Sequence, residues 1–137
     1  MRRTRYLKAI LGGNKMVEKI KISNVATENL DFLSRKLDLR RNIICRLAVS
    51  KSLNISNSIL NFKIEDNNGR EFNKYTLTGD KDIIYKALIM QHENKKIDEE
   101  EYVTIYLRNH IERGLSVMKK EYEKINSPTD YLVGLSI

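Results

Sequence analysis

Residues 18–22 (Glu-Lys-Ile-Lys-Ile) alternate polar and apolar, the period of a short half-buried strand. Ser23 follows and can cap a helix by accepting a bond from a free backbone N–H. Ala26, Leu30, Leu33 and Leu37 then recur at steps of 4, 3 and 4, one face of a helix running to about Leu37. Asp38-Leu39-Arg40-Arg41 reads as a turn. Asn42 reads as the cap of a second helix, roughly Ile43 to Leu53, with Ile44, Leu47 and Ala48 facing the core. Asn54 to Ser58 is a polar break. Ile59 to Ile64 has strand character, and Asp66-Asn67-Asn68-Gly69 is a turn signal because Asn and Gly tolerate positive φ. Phe72 to Leu77 is then the returning strand, with loop left open for Tyr75 to Leu77. A third helix is predicted from Asp80 to about Glu93, burying Ile84, Ala87, Leu88 and Gln91 or their neighbours.

The fourth helix carries the longest pattern. Asp98 to Glu101 place acids where they favour the helix dipole. Val103, Leu107, Ile111, Leu115, Met118, Tyr122 and Ile125 step by 4, 4, 4, 3, 4 and 3, and Pro128 is expected to stop the helix. So long a stripe exceeds what a small core needs, which makes Leu107, Ile111, Gly114 and Leu115 candidates for an oligomer or partner interface. Gly114 inside a helix costs roughly 1 kcal/mol against Ala, so it predicts close approach of another element or subunit. The fold expected is mainly α with a short β-strand or hairpin. The strand–helix–turn–helix order from Lys19 to Leu53 matches the ribbon-helix-helix group of DNA-binding proteins, and two further helices follow. Such units usually dimerise, because a lone edge strand leaves backbone donors and acceptors unpaired.

At 137 residues the chain fits one domain, over 16–137, preceded by a basic arm over 1–15. Met16 is an alternative start, which leaves the arm's place in the native protein open. No run is apolar enough to span a bilayer, and the apolar stretch in the arm is too short for a secretory signal, so cytosol is the default compartment. The net charge is +7, and it is uneven: +5 over 1–15, +4 over 16–53, −3 over 54–101 and +1 over 102–137. A polyanion partner is implied, with its footprint in the first half. The candidate DNA-binding residues are Lys19 and Lys21 on the polar side of the strand, with Arg35, Lys36, Arg40, Arg41, Arg46 and Lys51 near the helix ends. Lys and Arg without Asn or Gln on the strand point to phosphate contact more than to base reading.

Catalytic chemistry is not expected. The one cysteine has no partner for a disulfide or a zinc site, the two histidines have no metal-motif spacing, and no Gly-rich phosphate loop is present. No catalytic residue, metal or cofactor is therefore assigned. Cys45 lies among Ile43, Ile44, Leu47, Ala48 and Val49, which suits a buried small hydrophobe better than a sulfur carrier. His110 and Arg113 sit on neighbouring positions of one helix surface. Packing beside Gly114, phosphate binding and catalysis all stay open for them.

Three segments resemble the DndE family of DNA sulfur-modification (phosphorothioation) proteins. They are Asn42-Ile-Ile-Cys-Arg-Leu-Ala-Val-Ser-Lys-Ser-Leu53; Gly69-Arg-Glu-Phe-Asn-Lys-Tyr-Thr-Leu77, continuing through Gly79 to Ala87-Leu88-Ile-Met-Gln91; and His110-Ile-Glu-Arg-Gly114. The resemblance as a whole covers about residues 17–137. The resemblance implies a small DNA-binding accessory subunit, with nicked duplex among its preferred ligands, that forms homo-oligomers, a tetramer foremost. Its implied partners are a cysteine desulfurase, an ATP-pyrophosphatase-like iron–sulfur protein and an ATPase related to chromosome-maintenance proteins, which carry the chemistry. His92 departs from the basic residue expected after Gln91. Two other readings remain: a ribbon-helix-helix transcriptional regulator, and a scaffold for the sulfur-transfer subunits that makes no DNA contact itself.

Overall fold

The computed structural model describes residues 18–135, so the basic arm over 1–15 lies outside the described residues. Strand β1 (Lys19–Lys21) has the exposed–buried–exposed pattern that its alternation predicts, with Ile20 buried. It pairs antiparallel with β2 (Glu71–Asn73), setting Lys19 against Asn73, Ile20 against Phe72 and Lys21 against Glu71. One edge of β1 is thus satisfied within the chain. Helix α1 (Asn24–Leu37) starts at Ser23, whose Oγ accepts the Ala26 N–H at 3.1 Å. It buries Ala26, Leu30, Leu33 and Leu37, the face that the spacing predicts. Asp38 ends it at φ 55°.

Helix α2 (Arg41–Leu53) begins before the expected cap. Arg40 takes the extended N-cap conformation with no side-chain cap bond, and Asn42 sits in the first turn with its amide 3.4 Å from the Thr76 carbonyl. The core side of α2 is Ile44, Cys45, Ala48, Val49 and Ser52, with Leu47 only half-buried.

Ile59 to Ile64 is not a strand. Ile59–Asn61 form a single 3-10 turn, and the Ile59 N–H donates to Glu93 Oε2 at 2.9 Å, away from any sheet. The hairpin-like partner of β2 is β1, about fifty residues away, because β1 offers an apolar face and a free edge next to the core. Tyr75 to Leu77 are helical. Asn73 Oδ1 accepts the Tyr75 N–H at 2.8 Å and so caps α3 (Lys74–Thr78) directly after β2.

Helix α4 (Asp82–Glu93) starts two residues later than expected, after a 3-10 turn at Gly79–Lys81, and presents a different face. Ile89 is its buried residue, whereas Ala87 and Gln91 are exposed and Ile84 and Leu88 are 51% and 43% exposed. Polar anchors set this rotation. Asp82 Oδ1 accepts from Thr78 Oγ1 and from the Tyr102 hydroxyl, both at 2.9 Å, and Lys86 reaches Glu99 at 3.3 Å. Asp82, Lys86, Ile89 and Glu93 form the stripe that faces inward.

Helix α5 is continuous through Glu99–Glu101, a π-helical stretch at Tyr102–Leu107, and Arg108–Ile125. Asp98 caps it by accepting the Glu101 N–H at 2.8 Å. From Asn109 to Leu115 every residue is buried, so α5 is surrounded over its middle instead of lying on one face. Its principal neighbour is α2, which crosses at Gly114. An added Cβ there would stand 1.8 Å from the Ala48 carbonyl oxygen. Asn126, at φ 54°, ends the helix; Pro128 instead opens a further helix, α6 (Pro128–Leu135), where its fixed φ and missing N–H are tolerated. Among the described residues no helix is long and apolar enough to cross a membrane.

Candidate nucleic-acid interface

Of the eight predicted contacts, five are exposed, and they form two groups at opposite ends of α1; other exposed cations, Lys63, Lys81, Lys95, Lys96, Lys120 and Lys124, lie elsewhere in the chain. At its start, Lys19 and Lys21 lie on the outer side of β1, Lys21 opposite Glu71. At its end, Arg35 and Lys36 close the last turn of α1 and Arg40 opens α2; all three are exposed. Fourteen residues of helix at 1.5 Å each put the groups about 20 Å apart. The turn between helices is fixed: Ser34 Oγ donates to the Leu39 carbonyl at 2.6 Å, and the Leu39 N–H returns to Ser34 O at 3.3 Å. Lys19, Lys21, Arg35, Lys36 and Arg40 make no ion pair among the described residues. Lys36 Nζ rests 5.8 Å from the Phe32 ring centre.

The start of α2 adds to this end. Its first turn holds no acid and no side chain caps it, so its leading N–H groups stay available beside Arg40.

The other three predicted contacts are committed within the chain. Arg41 Nε bonds Asp31 Oδ1 at 2.7 Å, Arg46 Nε donates to the Leu77 carbonyl and so ties α2 to α3, and Lys51 Nζ bonds Glu121 Oε1 at 3.0 Å. Arg70, which the spacing argument omitted, stands 3.6 Å from the same Asp31. The signal for it was Gly69: a Cβ there would meet Ser23 O at 2.3 Å, so only glycine lets the hairpin press Arg70 against the head of α1.

The four residues predicted as a partner surface are not on a surface. Leu107, Ile111, Gly114 and Leu115 are buried inside the chain, because α2 and the flanking helices cover the stripe that was too long for a small core. Arg113 and His110 both bond to Ser52 inside the chain. Arg113 donates from Nε to Ser52 Oγ, from Nη2 to Ser52 O and from Nη1 to Asn57 O at 2.8, 2.8 and 2.9 Å, so its donors serve the end of α2. His110 Nδ1 meets Ser52 Oγ at 2.8 Å, and burial with Arg113 nearby lowers its pKa to about 3, keeping the ring neutral. Cys45 is buried, and burial pushes its thiol up to about 12, with Arg70 opposing weakly. His92 is half-buried, its Nε2 2.6 Å from the Ile55 carbonyl, and is directed inward instead of towards a ligand in solvent.

A profile of the family described as DNA sulphur modification protein DndE matches residues 19–126. The chain belongs to the DndE family. The match runs from β1 to the residue that ends α5 and leaves α6 outside, so it is shorter than the 17–137 expected. Two solved structures share the fold of this DndE-family chain. DndE from Escherichia coli B7A, involved in DNA phosphorothioation modification, is 16% identical with a TM-score of 0.61, over 77% of this chain and 99% of its own. A DndE G21/24K mutant is also 16% identical, with a TM-score of 0.56 over 75% and 98%. No curated protein is similar in sequence.

Proposed function

We propose that this DndE-family chain is a DNA-binding accessory subunit of the phosphorothioation system. It contacts the sugar–phosphate backbone and leaves the sulfur chemistry to other subunits. The observation that carries this reading is the α1–α2 turn: Arg35, Lys36 and Arg40 exposed and unpaired on a fixed turn, inside the family-matched segment. Each such cation neutralises a phosphate and releases condensed counterions. Lys19 and Lys21 extend the contact along the duplex from the other end of α1, while the strand's lack of Asn and Gln favours backbone over base-edge contact. Arg70 and Arg41 contribute less, because Asp31 already offsets them. The buried thiol of Cys45 and the occupied donors of Arg113 support a role without chemistry of its own.

Assembly with other modification subunits and with further copies of the chain belongs to the same proposal. Its surface is better sought on the exposed Ile83, Ile84 and Leu88 of α4 than on the buried stripe of α5.

A salt titration of binding to intact and nicked duplex tests the reading. Affinity should fall with about one unit of log–log slope per phosphate contact. Changing Arg35, Lys36 and Arg40 together to Ala should lower that slope by about 3 while leaving the melting temperature unchanged. Binding that ignores salt, or a slope the triple change leaves intact, refutes the proposal.

A further inference from the structure

The chain has two histidines, 18 positions apart, and the fold brings their rings to 5.1 Å centre to centre in a T-shaped arrangement. Glu93 joins them: one ligating atom from each of His92, Glu93 and His110 lies within 4.8 Å of the others. We propose that His92 Nδ1, Glu93 Oε2 and His110 Nε2 bind one first-row transition-metal dication of the zinc type. In this reading the ion is structural and ties the end of α4 to the middle of α5. The proposal stands independently of the DNA interface.

The hydrogen bonds around the trio leave a lone pair on each of these three atoms, Glu93 Oε2 keeping one beside the Ile59 N–H that it accepts at 2.9 Å. Ile55 O can only accept, so His92 Nε2, 2.6 Å away, carries the ring proton. His92 Nδ1 then faces Glu93 Oε2 at 3.0 Å. A lone pair set against a carboxylate oxygen at that distance is repulsive unless a proton or a metal ion stands between them. His110 is buried, its Nδ1 is taken by Ser52 Oγ, and its Nε2 has no hydrogen-bond partner among the described residues. With Nδ1–H donating to Ser52 Oγ, Nε2 offers a lone pair, and the ring is held neutral as a ligand must be. Both histidines therefore fix the second nitrogen on an oxygen, as metal-binding histidines do.

Glu93 is held as the anion. Burial alone favours the neutral acid, but the Ile59 N–H and the Ser58 hydroxyl both donate to the carboxylate and favour its charged form. Its charge offsets Arg113, which opposes a cation here. Two imidazoles and a carboxylate suit zinc at bond lengths of about 2.0–2.2 Å, so the donors need to close by at most about 1.5 Å. Of the three, His92 also lines an open cleft of about 470 Å³ with Leu53, Asn54, Leu88 and Gln91, and a water from that side is the proposed fourth ligand.

The test uses the full chain without an affinity tag, stripped of metal by a chelator and titrated with Zn²⁺ by calorimetry. Co²⁺ is added in parallel as an absorbance probe of coordination. Saturable binding of one ion per chain, a raised melting temperature and a ligand-field band are expected. His92→Gln, whose amide N–H can keep the bond to the Ile55 carbonyl, should weaken binding at least about 100-fold and abolish the band. Glu93→Gln, which can keep its contacts to Ser58 and Ile59, should weaken it as well. No saturable binding by the folded chain overturns the site, and so does binding that both variants leave unchanged, since the ion would then sit elsewhere.

Discussion

At the residue scale, the chemistry of this chain is set by which side chains lose water. Cys45 lies between Ile44 and the buried Ala48–Val49 pair, and desolvation raises its thiol from 9.0 to about 12. Thiolate is the reactive form, so a shift of this size lowers its population near pH 8 about a thousandfold. Alkylation of the folded chain by iodoacetamide should be slower than that of the urea-unfolded chain by at least that factor. Equal rates would show an accessible thiol and reopen the sulfur-carrier reading. The pH dependence follows from the raised value: the neutral thiol's contribution to stability is fully present below 9.0 and is lost as pH rises through about 12. The apolar neighbours of Cys45 were visible along the chain, so this burial was legible there. The partners of Ser23 were not. Its N–H and hydroxyl both donate to Glu112, at 2.6 and 2.8 Å, across 89 positions. No local rule anticipates a carboxylate brought from α5 to the head of α1.

At the element scale, the crossing of α2 and α5 depends on one missing methyl group. The backbone of Ala48 occupies the space a Gly114 side chain would need, so the helices can approach only with glycine there. Gly114→Ala should destabilise the fold by roughly 3 kcal/mol, because relief requires moving backbone instead of a flexible side chain. Gly134 in α6 is the matched control: a Cβ there meets nothing within 4 Å. Gly134→Ala should be neutral or stabilising by up to about 1 kcal/mol. Chemical denaturation of both variants checks the pair, and a neutral Gly114→Ala would mean that α2 is not packed as closely as described. That a helix-interior glycine signals close approach was legible in the sequence. Whether another subunit or another helix of the same chain made the approach was not, because periodicity reports a buried face and not what covers it. The same limit explains α4. Its apolar positions predict one face, but Asp82 and Lys86 bond inward to Thr78, Tyr102 and Glu99, and these bonds turn Ile84 and Leu88 outward.

At the scale of the whole molecule, Lys74 joins segments that the sequence keeps apart. It is buried at the start of α3, with Nζ 2.5 Å from Glu99 on α5 and 3.3 Å from Asp82 on α4. Burial alone would lower its pKa, but Glu99 and Asp82 together raise it above 10.5. Its stabilisation is therefore complete below 10.5 and is lost as pH rises through the higher folded value. Lys74→Met should destabilise by roughly 3 kcal/mol, since it leaves two carboxylates facing an apolar chain. It should also flatten the alkaline limb of the stability profile; an unchanged limb would show that Lys74 does not anchor these elements. The sequence by itself determined the strand, the first two helices, the long helix and the basic balance of the first half. Each of these follows from local periodicity, capping or charge, which neighbouring residues settle among themselves. Only the tertiary structure decided that β1 pairs with residues 71–73, that the long helix is buried on all sides over its middle, and that Arg41, Arg46 and Lys51 are spent inside the chain. It also brought His92, Glu93 and His110 together. All of these depend on which distant groups satisfy a buried edge, a charge or a lone pair, and that choice is made only when the chain packs as a whole.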